Sequence, residues 1–582
     1  RSLDANGMPH DEARVLESDP STGLLLLERP LQGVGDRPIS YELTRGEPAP
    51  LLAIRQALRL TGDEPIPAVD VRLGTTRGTN ALLTRSGART AWVTTRGFAD
   101  ALSIGDQQRP RLFELAIRKP SELFAATAEI DERLDAHGQV LIPIDLDQTR
   151  RELERLRAEG IESLAICLLH AYLAPEHELQ VARIARDLGF PAIRLSHQSA
   201  PVIKLVARGR TTLVDAYLDL VLRDYLRAIE QGLGAGSQLS LMTSAGDLVS
   251  PERFSGKDSL LSGPAGGVVA LAEVSRVSGG GRGIGFDMGG TSTDVSRFDG
   301  RLEIESESHK ADVAVVVPTL AIETVAAGGG SICRVVDGRL QVGPESAGAD
   351  PGPACYERGG PLSVTDLNVW LGRVGAERFP FPLDRAAIAR RLEEQAALLG
   401  EASGRVGDSS DALALGFWRI ANAKMAAAIR SVSVGKGYDP RRYALVAFGG
   451  AAAQHACAVA EELGMTRVLC PADASILSAA GIGAALRSVR RMQGVYELLT
   501  ETELEPWETR FQELEQSALE QLSRELTGEQ ATSAGEPSPP RLTRAVELRY
   551  QGTDAPLRLE LESIHDVPAA FAELHRTRFG YV

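Results

Sequence analysis

The sequence of 582 residues is short of several things, and each shortage narrows the reading. Cysteine occurs five times (Cys167, Cys333, Cys355, Cys457, Cys470), widely spaced and never as C-x-x-C. That excludes a disulfide frame and a zinc knuckle, and points to reduced thiols in a cytoplasmic setting. No apolar run is long enough to cross a bilayer, so no membrane association is expected. Positive charge is in deficit: 63 Lys and Arg stand against 78 Asp and Glu, for a net charge of −15. With no Lys/Arg cluster, no nucleic-acid partner is expected. There is no G-x-x-x-x-G-K-[ST], and no G-x-G-x-x-G after a strand, so neither a P-loop nor a dinucleotide fingerprint is present. The N-terminus, RSLDANGMPHDEARV, lacks an initiator Met and the apolar core of a signal peptide. The C-terminus, LHRTRFGYV, stops inside an apparent element. A fragment of a longer protein is the expectation.

Glycine, by contrast, is plentiful and clustered, with 58 residues. Clustered glycine marks places where backbone approaches a ligand or other backbone. The length calls for roughly two to four domains. Strand and helix patterns alternate: ARTAWVTTRGF reads as a strand, 146–160 as an amphipathic helix, IESLAICLLHAY as a buried strand and HELQVARIARDLG as a helix ending on glycine. This alternation predicts an α/β fold with a parallel or mixed sheet. Residues 208–234 read as a long helix, RGIGFDMGGTSTDVSRFDG as a hairpin, and TVAAGGGSICRVVDGRLQVG as a second strand, glycine turn, strand unit. YALVAFGGAAAQHACAVAEEL reads as strand, glycine turn, helix. Residues 525–541, rich in Pro, Ser, Gly and Glu, read as a linker, and AVELRYQGTDAPLRLEL after it as a β-hairpin.

The densest chemistry lies in GFDMGGTSTDV, residues 285–295. A turn at Gly289 and Gly290 lets successive amides point at one spot, which suits phosphate oxygens. Thr291 and Thr293 add hydroxyls. Asp287 and Asp294 would repel phosphate unless Mg²⁺ sits between, so the combination points to a metal–nucleotide site. The alternative is a hairpin bend that simply needs glycine. AFGGAAAQHA, 447–456, is a second such loop: small residues after Gly449 and Gly450 let a nucleoside lie on the backbone, or let strand and helix pack closely.

These loops resemble those of the actin-like ATPase superfamily, where glycine-rich hairpins of two related domains grip phosphates. More closely, the chain resembles the hydantoinase A/5-oxoprolinase family, in nine ordered blocks across about residues 70–490. They are GTTRGTNALL, TRGFADALSIGDQQRPRLFEL, SHQSAPVIKLVARGRTTLVDAYL, LLSGPAGGVVA, GFDMGGTSTDVS, TVAAGGGS, VGPESAGADPGPACY, VTDLNVWLGR and AFGGAAAQHACAVA. The family's opening D-x-G-G-T-F-T-D loop has no counterpart, so the chain is expected to begin just after it. The resemblance implies an N-terminal domain over 1–205, an ATPase domain over 206–490 and an incomplete mixed α/β piece over 491–582. It also implies ATP and Mg²⁺ as cofactors, and a B-type subunit or fused domain as partner in an oligomer. Family members use ATP to activate an unreactive amide or carbonyl oxygen; a lactam oxygen leaves poorly, and phosphorylation turns it into a leaving group. The branch that fits best opens 5-oxo-L-proline to L-glutamate. The other branches are ATP-dependent hydantoinase, acetone or acetophenone carboxylase, and, of another class, a non-catalytic nucleotide-binding scaffold.

On this reading Asp287 and Asp294 orient metal or water, Gly289, Gly290, Thr291 and Thr293 donate to phosphate, and Gly449 and Gly450 line the nucleoside. Gly328, Gly329 and Gly330 form a further phosphate or substrate loop. His455 acts on substrate or nucleotide, or else is a packed core residue. Glu345, Asp350 and Cys355, in a rigid Gly/Pro loop, line the substrate site or a partner interface, or only set the chain path. Asp106, Gln107 and Arg109, like Asp366 and Asn368, contact substrate or belong to exposed loops.

Overall fold

The computed structural model describes residues 2–3, 9–19, 24–31, 46–61, 64–107, 113–117, 119–310, 313–403, 409–499, 505–527, 539–553, 556–561 and 566–581. The chain divides into two compact units, Arg1–Val71 with Arg223–Gln238, and Arg72–Leu222 with Leu239–Val582. In the first, the helix Ala49–Leu58 buries Leu51 against Gly232, whose missing side chain makes the room.

The two largest sheets among the described residues lie in the second unit. One is a parallel sheet of β1 (Thr90–Thr95), β2 (Phe124–Ile130), β3 (Ser163–Cys167) and β4 (Ala192–Leu195), in the order β4-β3-β1-β2. Every residue of β1 and β3 is buried, as expected of strands covered on both faces. Helix α1 (Leu146–Ala158) starts where Asp145 accepts from the Gln148 amide, and buries Leu153 and Leu156. Helix α2 (Glu176–Asp187) ends with Gly189 at φ +75°, where the Phe190 amide reaches back to the Ala185 carbonyl. The strand–helix alternation read from the sequence thus gives a mixed α/β fold with a parallel sheet, and the long helix α3 (Leu205–Gly232) follows.

Helix α4 (Ser262–Val277) leads into the second sheet, built from β5 (Arg282–Met288), β6 (Thr293–Asp299), β7 (Ile322–Val325), β10 (Ala444–Phe448) and β11 (Val468–Leu469). The order is β7-β6-β5-β10-β11: an antiparallel meander of three strands continued by two parallel ones. Between β7 and β10 the chain forms β8 (Ser331–Val336), β9 (Arg339–Ser346), α5 (Val364–Trp370) and α6 (Ser410–Val432). Here the sequence reading needs correction. The strands flanking the triple glycine do not pair; β7 joins the five-stranded sheet, while β8 pairs with β9 around Asp337–Gly338. One apolar core gathers Phe286, Met288, Leu367, Phe417, Met425 and Leu445 from these elements. Helices α7 (Ala456–Leu463) and α8 (Leu477–Ala484) follow β10 and β11.

Beyond α9 (Glu505–Thr527), β12 (Arg544–Leu548) and β13 (Leu557–Leu561) form the expected antiparallel hairpin, with α10 (Val567–Phe579) packed on it through Val567 and Phe571. Most of the expected linker lies outside the described residues.

Candidate active site: two aspartates on one rung of the sheet

The β5–β6 register sets Asp287 directly opposite Asp294, and the β6–β7 register sets Asp294 directly opposite Thr324. Residues opposite each other on neighbouring strands project to the same face, with Cβ atoms roughly 5 Å apart. Thr324, Asp294 and Asp287 therefore form one row. The Thr324 hydroxyl donates to Asp294 Oδ1 at 2.7 Å, and the Ser478 hydroxyl, from α8, donates to Asp287 Oδ2 at 3.2 Å. Burial, and then the facing charge of Asp294, push the Asp287 carboxyl up to about 6, with the Ser478 hydrogen bond opposing. Each of two facing carboxylates makes the other harder to ionise.

The bend of the hairpin is closed by the Gly289 amide donating to the Ser292 carbonyl at 3.0 Å. Gly290 and Thr291 stand at its exposed tip, and among the described residues their amides find no protein acceptor. They remain the unengaged, exposed donors of this loop. Two expectations change. Thr293 is fully buried and its hydroxyl donates to the Ala327 carbonyl, closing the base of the loop instead of facing outward. Gly328, Gly329 and Gly330 are also buried, and their amides are already engaged. Gly328 donates to Ser331 Oγ at 2.9 Å, Gly329 to the Gly289 carbonyl at 3.0 Å and Gly330 to the Gly290 carbonyl at 2.6 Å. A Cβ on Gly328 would lie 2.7 Å from the Gly290 backbone. The triple glycine is a brace beneath the bend, not a second set of phosphate donors.

The other glycine turn arrives through the parallel β5–β10 pairing. Gly449 has φ +83° and lies so close that a Cβ would meet Asp287 Oδ1 at 2.4 Å and the Met288 carbonyl at 2.6 Å. The Ala451 amide donates to that same carbonyl at 3.0 Å, and Gly450 is left exposed. The wall beside Asp287 is made by α4 and α8, which touch backbone to backbone. A Cβ on Gly481 would fall 1.9 Å from the Gly266 carbonyl, and one on Gly267 would reach the Phe448 ring at 2.9 Å and Ser478 Oγ at 3.1 Å. Ser262, at the start of α4, accepts from the Thr75 amide at 3.0 Å and donates to the Thr75 carbonyl at 2.8 Å. The GTTRGTN and SGPAGG blocks, far apart in sequence, are thereby one structure.

His455 belongs elsewhere. It is fully buried, stacked on Trp418 with ring centroids 5.7 Å apart. Trp418 Nε1 can only donate, so Asn368 Oδ1 accepts from it at 3.2 Å and Asn368 Nδ2 must donate, to His455 Nε2 at 3.0 Å and to Gln454 Oε1 at 2.7 Å. That leaves Nδ1–H of His455 to donate to Asn422 Oδ1 at 2.7 Å. Both ring nitrogens are engaged, and burial with the nearby Arg373 charge lowers the imidazole to about 3. It is a neutral core residue and has no free nitrogen for proton transfer. Asp366 is likewise internal, accepting from the amides of Ala354, Cys355 and Ser363 and from the Ser363 hydroxyl, all within 3.0 Å.

The expected substrate residues are not gathered at the carboxylate pair. Asp106 pairs with Arg210 at 3.1 Å, and Glu345 with Arg334 at 2.7 Å. Asp350 is exposed, in a loop anchored by the Ala347 amide on the Gly330 carbonyl at 2.8 Å. Arg109 lies outside the described residues. Burial pushes the Cys333 and Cys355 thiols up, which leaves them inert. Sequence reasoning missed Thr324 and Ser478. A Thr on a short strand and a Ser at a helix start carry no signal of their own; only the strand register and the α4–α8 contact bring them to the aspartates.

Two family profiles cover most of this architecture: the hydantoinase/oxoprolinase N-terminal region matches residues 37–189, and hydantoinase/oxoprolinase matches 208–491. The caprolactamase subunit alpha of Pseudomonas jessenii is 32% identical, over 91% of this chain and 78% of its own length. The chain belongs to the hydantoinase/oxoprolinase family. Its fold follows that of the crystal structure of the ATP-dependent caprolactamase from the same organism, with a TM-score of 0.75 at 28% identity, covering 91% of this chain and 79% of that one. A 5-oxoprolinase of Pestalotiopsis fici is 37% identical over 94% of this chain but only 46% of its own length. The chain thus spans less than half of the 5-oxoprolinases it matches.

Proposed function

We propose that this chain is the ATP-using portion of an ATP-dependent cyclic amide hydrolase, with 5-oxo-L-proline as the lactam opened to L-glutamate. The observation that carries the reading is the meeting of two glycine turns at Asp287: the hairpin tip offers unengaged amides, and Gly449 keeps a neighbouring backbone against the carboxylate. We infer an actin-like arrangement, in which the β5–β6 hairpin is one of two phosphate-gripping loops.

The residues fit a nucleotide-bound Mg²⁺. That ion takes one or two carboxylates and leaves its other positions to phosphate and water, and Asp287 and Asp294 supply the two. When bound, Mg²⁺ neutralises charge that gathers on a transferred phosphoryl group. The chain's own work is positional. The amides of Gly290 and Thr291 receive phosphate oxygens, Gly449 and Gly450 admit the nucleoside close to backbone, and the α4–α8 wall limits water beside Asp287. A lactam oxygen brought to that point gains the activation that its ring opening requires. A B-type subunit or downstream domain completes the reaction. Support comes from the length of the 5-oxoprolinase relatives and from the name of the caprolactamase relative, a subunit alpha.

A second reading has its own support: the fold follows that of an ATP-dependent caprolactamase with a TM-score of 0.75, which makes caprolactam the alternative lactam. ADP release by the full-length protein, with its B-type portion, decides between them. It is to be followed with no addition, 5-oxo-L-proline, caprolactam or hydantoin. A rise with 5-oxo-L-proline alone, with glutamate formed, is expected. A rise with caprolactam alone moves the substrate, and no rise with any lactam overturns the reading.

A further inference from the structure

Two neutral hydroxyls bond the two aspartates, and they arrive from opposite sides. Thr324 comes from the outermost strand of the meander, on the same rung as Asp294, and bonds Oδ1 at 2.7 Å. Ser478 comes from α8, bonds Asp287 Oδ2 at 3.2 Å, and is itself fixed by the backbone contact between Gly481 and Gly266. Thr324 is exposed, so the hydroxyl has water as an alternative partner and is nonetheless turned onto the carboxylate.

The hydroxyls at these two positions act on the carboxylates they bond. A hydroxyl orients a carboxylate, leaves its charge in place, and restricts its rotation about the Cβ–Cγ bond.

We propose that Thr324 and Ser478 are positioning residues that clamp Asp294 and Asp287 from either side and set the affinity of the pair for a divalent cation. This rests on the reading of the pair as a Mg²⁺–nucleotide site. Neither residue touches substrate or phosphate; each acts through the aspartate it holds.

The test is calorimetric titration of Mg²⁺ into the full-length protein carrying a non-hydrolysable ATP analogue. Outer hydroxyls of this kind typically govern metal affinity by about 10- to 100-fold. Thr324→Val keeps the β-branched shape and removes the hydroxyl, and should weaken Mg²⁺ binding by at least about tenfold. Thr324→Ser restores the hydroxyl and should bind within about threefold of wild type. Ser478→Ala should weaken binding in the same way, and melting temperatures measured without metal should not track the loss. If wild type binds Mg²⁺ tightly and both Thr324→Val and Ser478→Ala stay within about twofold of it, the clamp is overturned while the nucleotide site stands. Equal weakening by Thr324→Val and Thr324→Ser also overturns it, since the hydroxyl is then not the cause. If wild type itself shows no nucleotide-dependent Mg²⁺ binding, the underlying reading fails first.

Discussion

Gly449 and Asp287 are in such close contact that a Cβ on residue 449 would sit 2.4 Å from the carboxylate oxygen, and the same glycine has φ +83°. Both facts exclude any other residue, for different reasons. The positive φ costs a non-glycine residue about 1–3 kcal/mol, while the close approach forces Asp287 or the Met288 carbonyl to move. Gly449→Ala is expected to shift the Asp287 carboxylate, and a misplacement on the order of 1 Å at a reacting site costs about a hundredfold in rate. Lactam-dependent ADP release measured beside the melting temperature checks this: the rate should fall far more than the stability.

Asp287 works against stability in the ligand-free protein. Its folded pKa, about 6, lies above the ordinary 3.8, so between these values the folded chain holds more protons than the unfolded one. Stability from this group is therefore highest below pH 4 and is lost as pH rises toward and past 6, by up to about 3 kcal/mol. Asp287→Asn removes the charge, and urea unfolding at pH 8 should show a more stable protein that has lost at least about a hundredfold in turnover. A variant of unchanged turnover would remove Asp287 from the site.

His455 predicts the opposite slope. Buried and neutral, with a folded pKa near 3 against the usual 6.5, it holds fewer protons than in the unfolded chain over that interval. Its contribution is full above pH 6.5 and falls away as pH drops toward 3. His455→Gln, which leaves the loops intact, should keep turnover within about tenfold, whereas loss of a general base costs about 10²–10⁴. His455→Ala, by leaving Asn368 and Asn422 unsatisfied, should destabilise by about 1–3 kcal/mol per orphaned group. A pH–rate profile of His455→Gln matching that of wild type completes the test.

Much of the fold was legible because its elements obey local rules. The Asp145 cap, the Gly189 stop and the largely apolar β3 are written in adjacent residues, and the parallel sheet follows from their alternation. The site was legible only in part. Asp287, Gly290 and Thr291 stand in one short stretch, and Gly449–Gly450 in another, so glycine and acid composition pointed to them. Which glycine amides are available was not legible. Gly290 and Gly330 look equivalent in sequence, yet the Gly330 amide is bonded to the Gly290 carbonyl, a pairing set by β7 and β8 entering different sheets. Which of the two readings of His455 holds was not legible for a related reason: Trp418, Asn368 and Asn422, which fix its role, are 33 to 87 residues away in the chain.

The bracing role given to the triple glycine leads to a prediction that separates it from a phosphate loop. Gly328 lies outside the positive-φ region, so alanine there suffers no backbone strain. Its Cβ would nonetheless come within 2.7 Å of the Gly290 carbonyl carbon and oxygen and of the Ser292 amide nitrogen, all backbone atoms with no flexible end to swing aside. The hairpin tip must then lift, at a cost of about 1–3 kcal/mol, and the amides of Gly290 and Thr291 turn with it. Gly328→Ala should therefore weaken ATP binding by about tenfold or more, equivalent to at least 1.4 kcal/mol. Gly290→Ala, whose Cβ meets nothing within 4 Å, should fold normally and bind ATP with a smaller loss. Equilibrium binding of a fluorescent ATP analogue to the two variants gives the comparison. If Gly290→Ala is the more damaging of the two, the tip is closed to added bulk by the nucleotide itself and the brace is the lesser constraint.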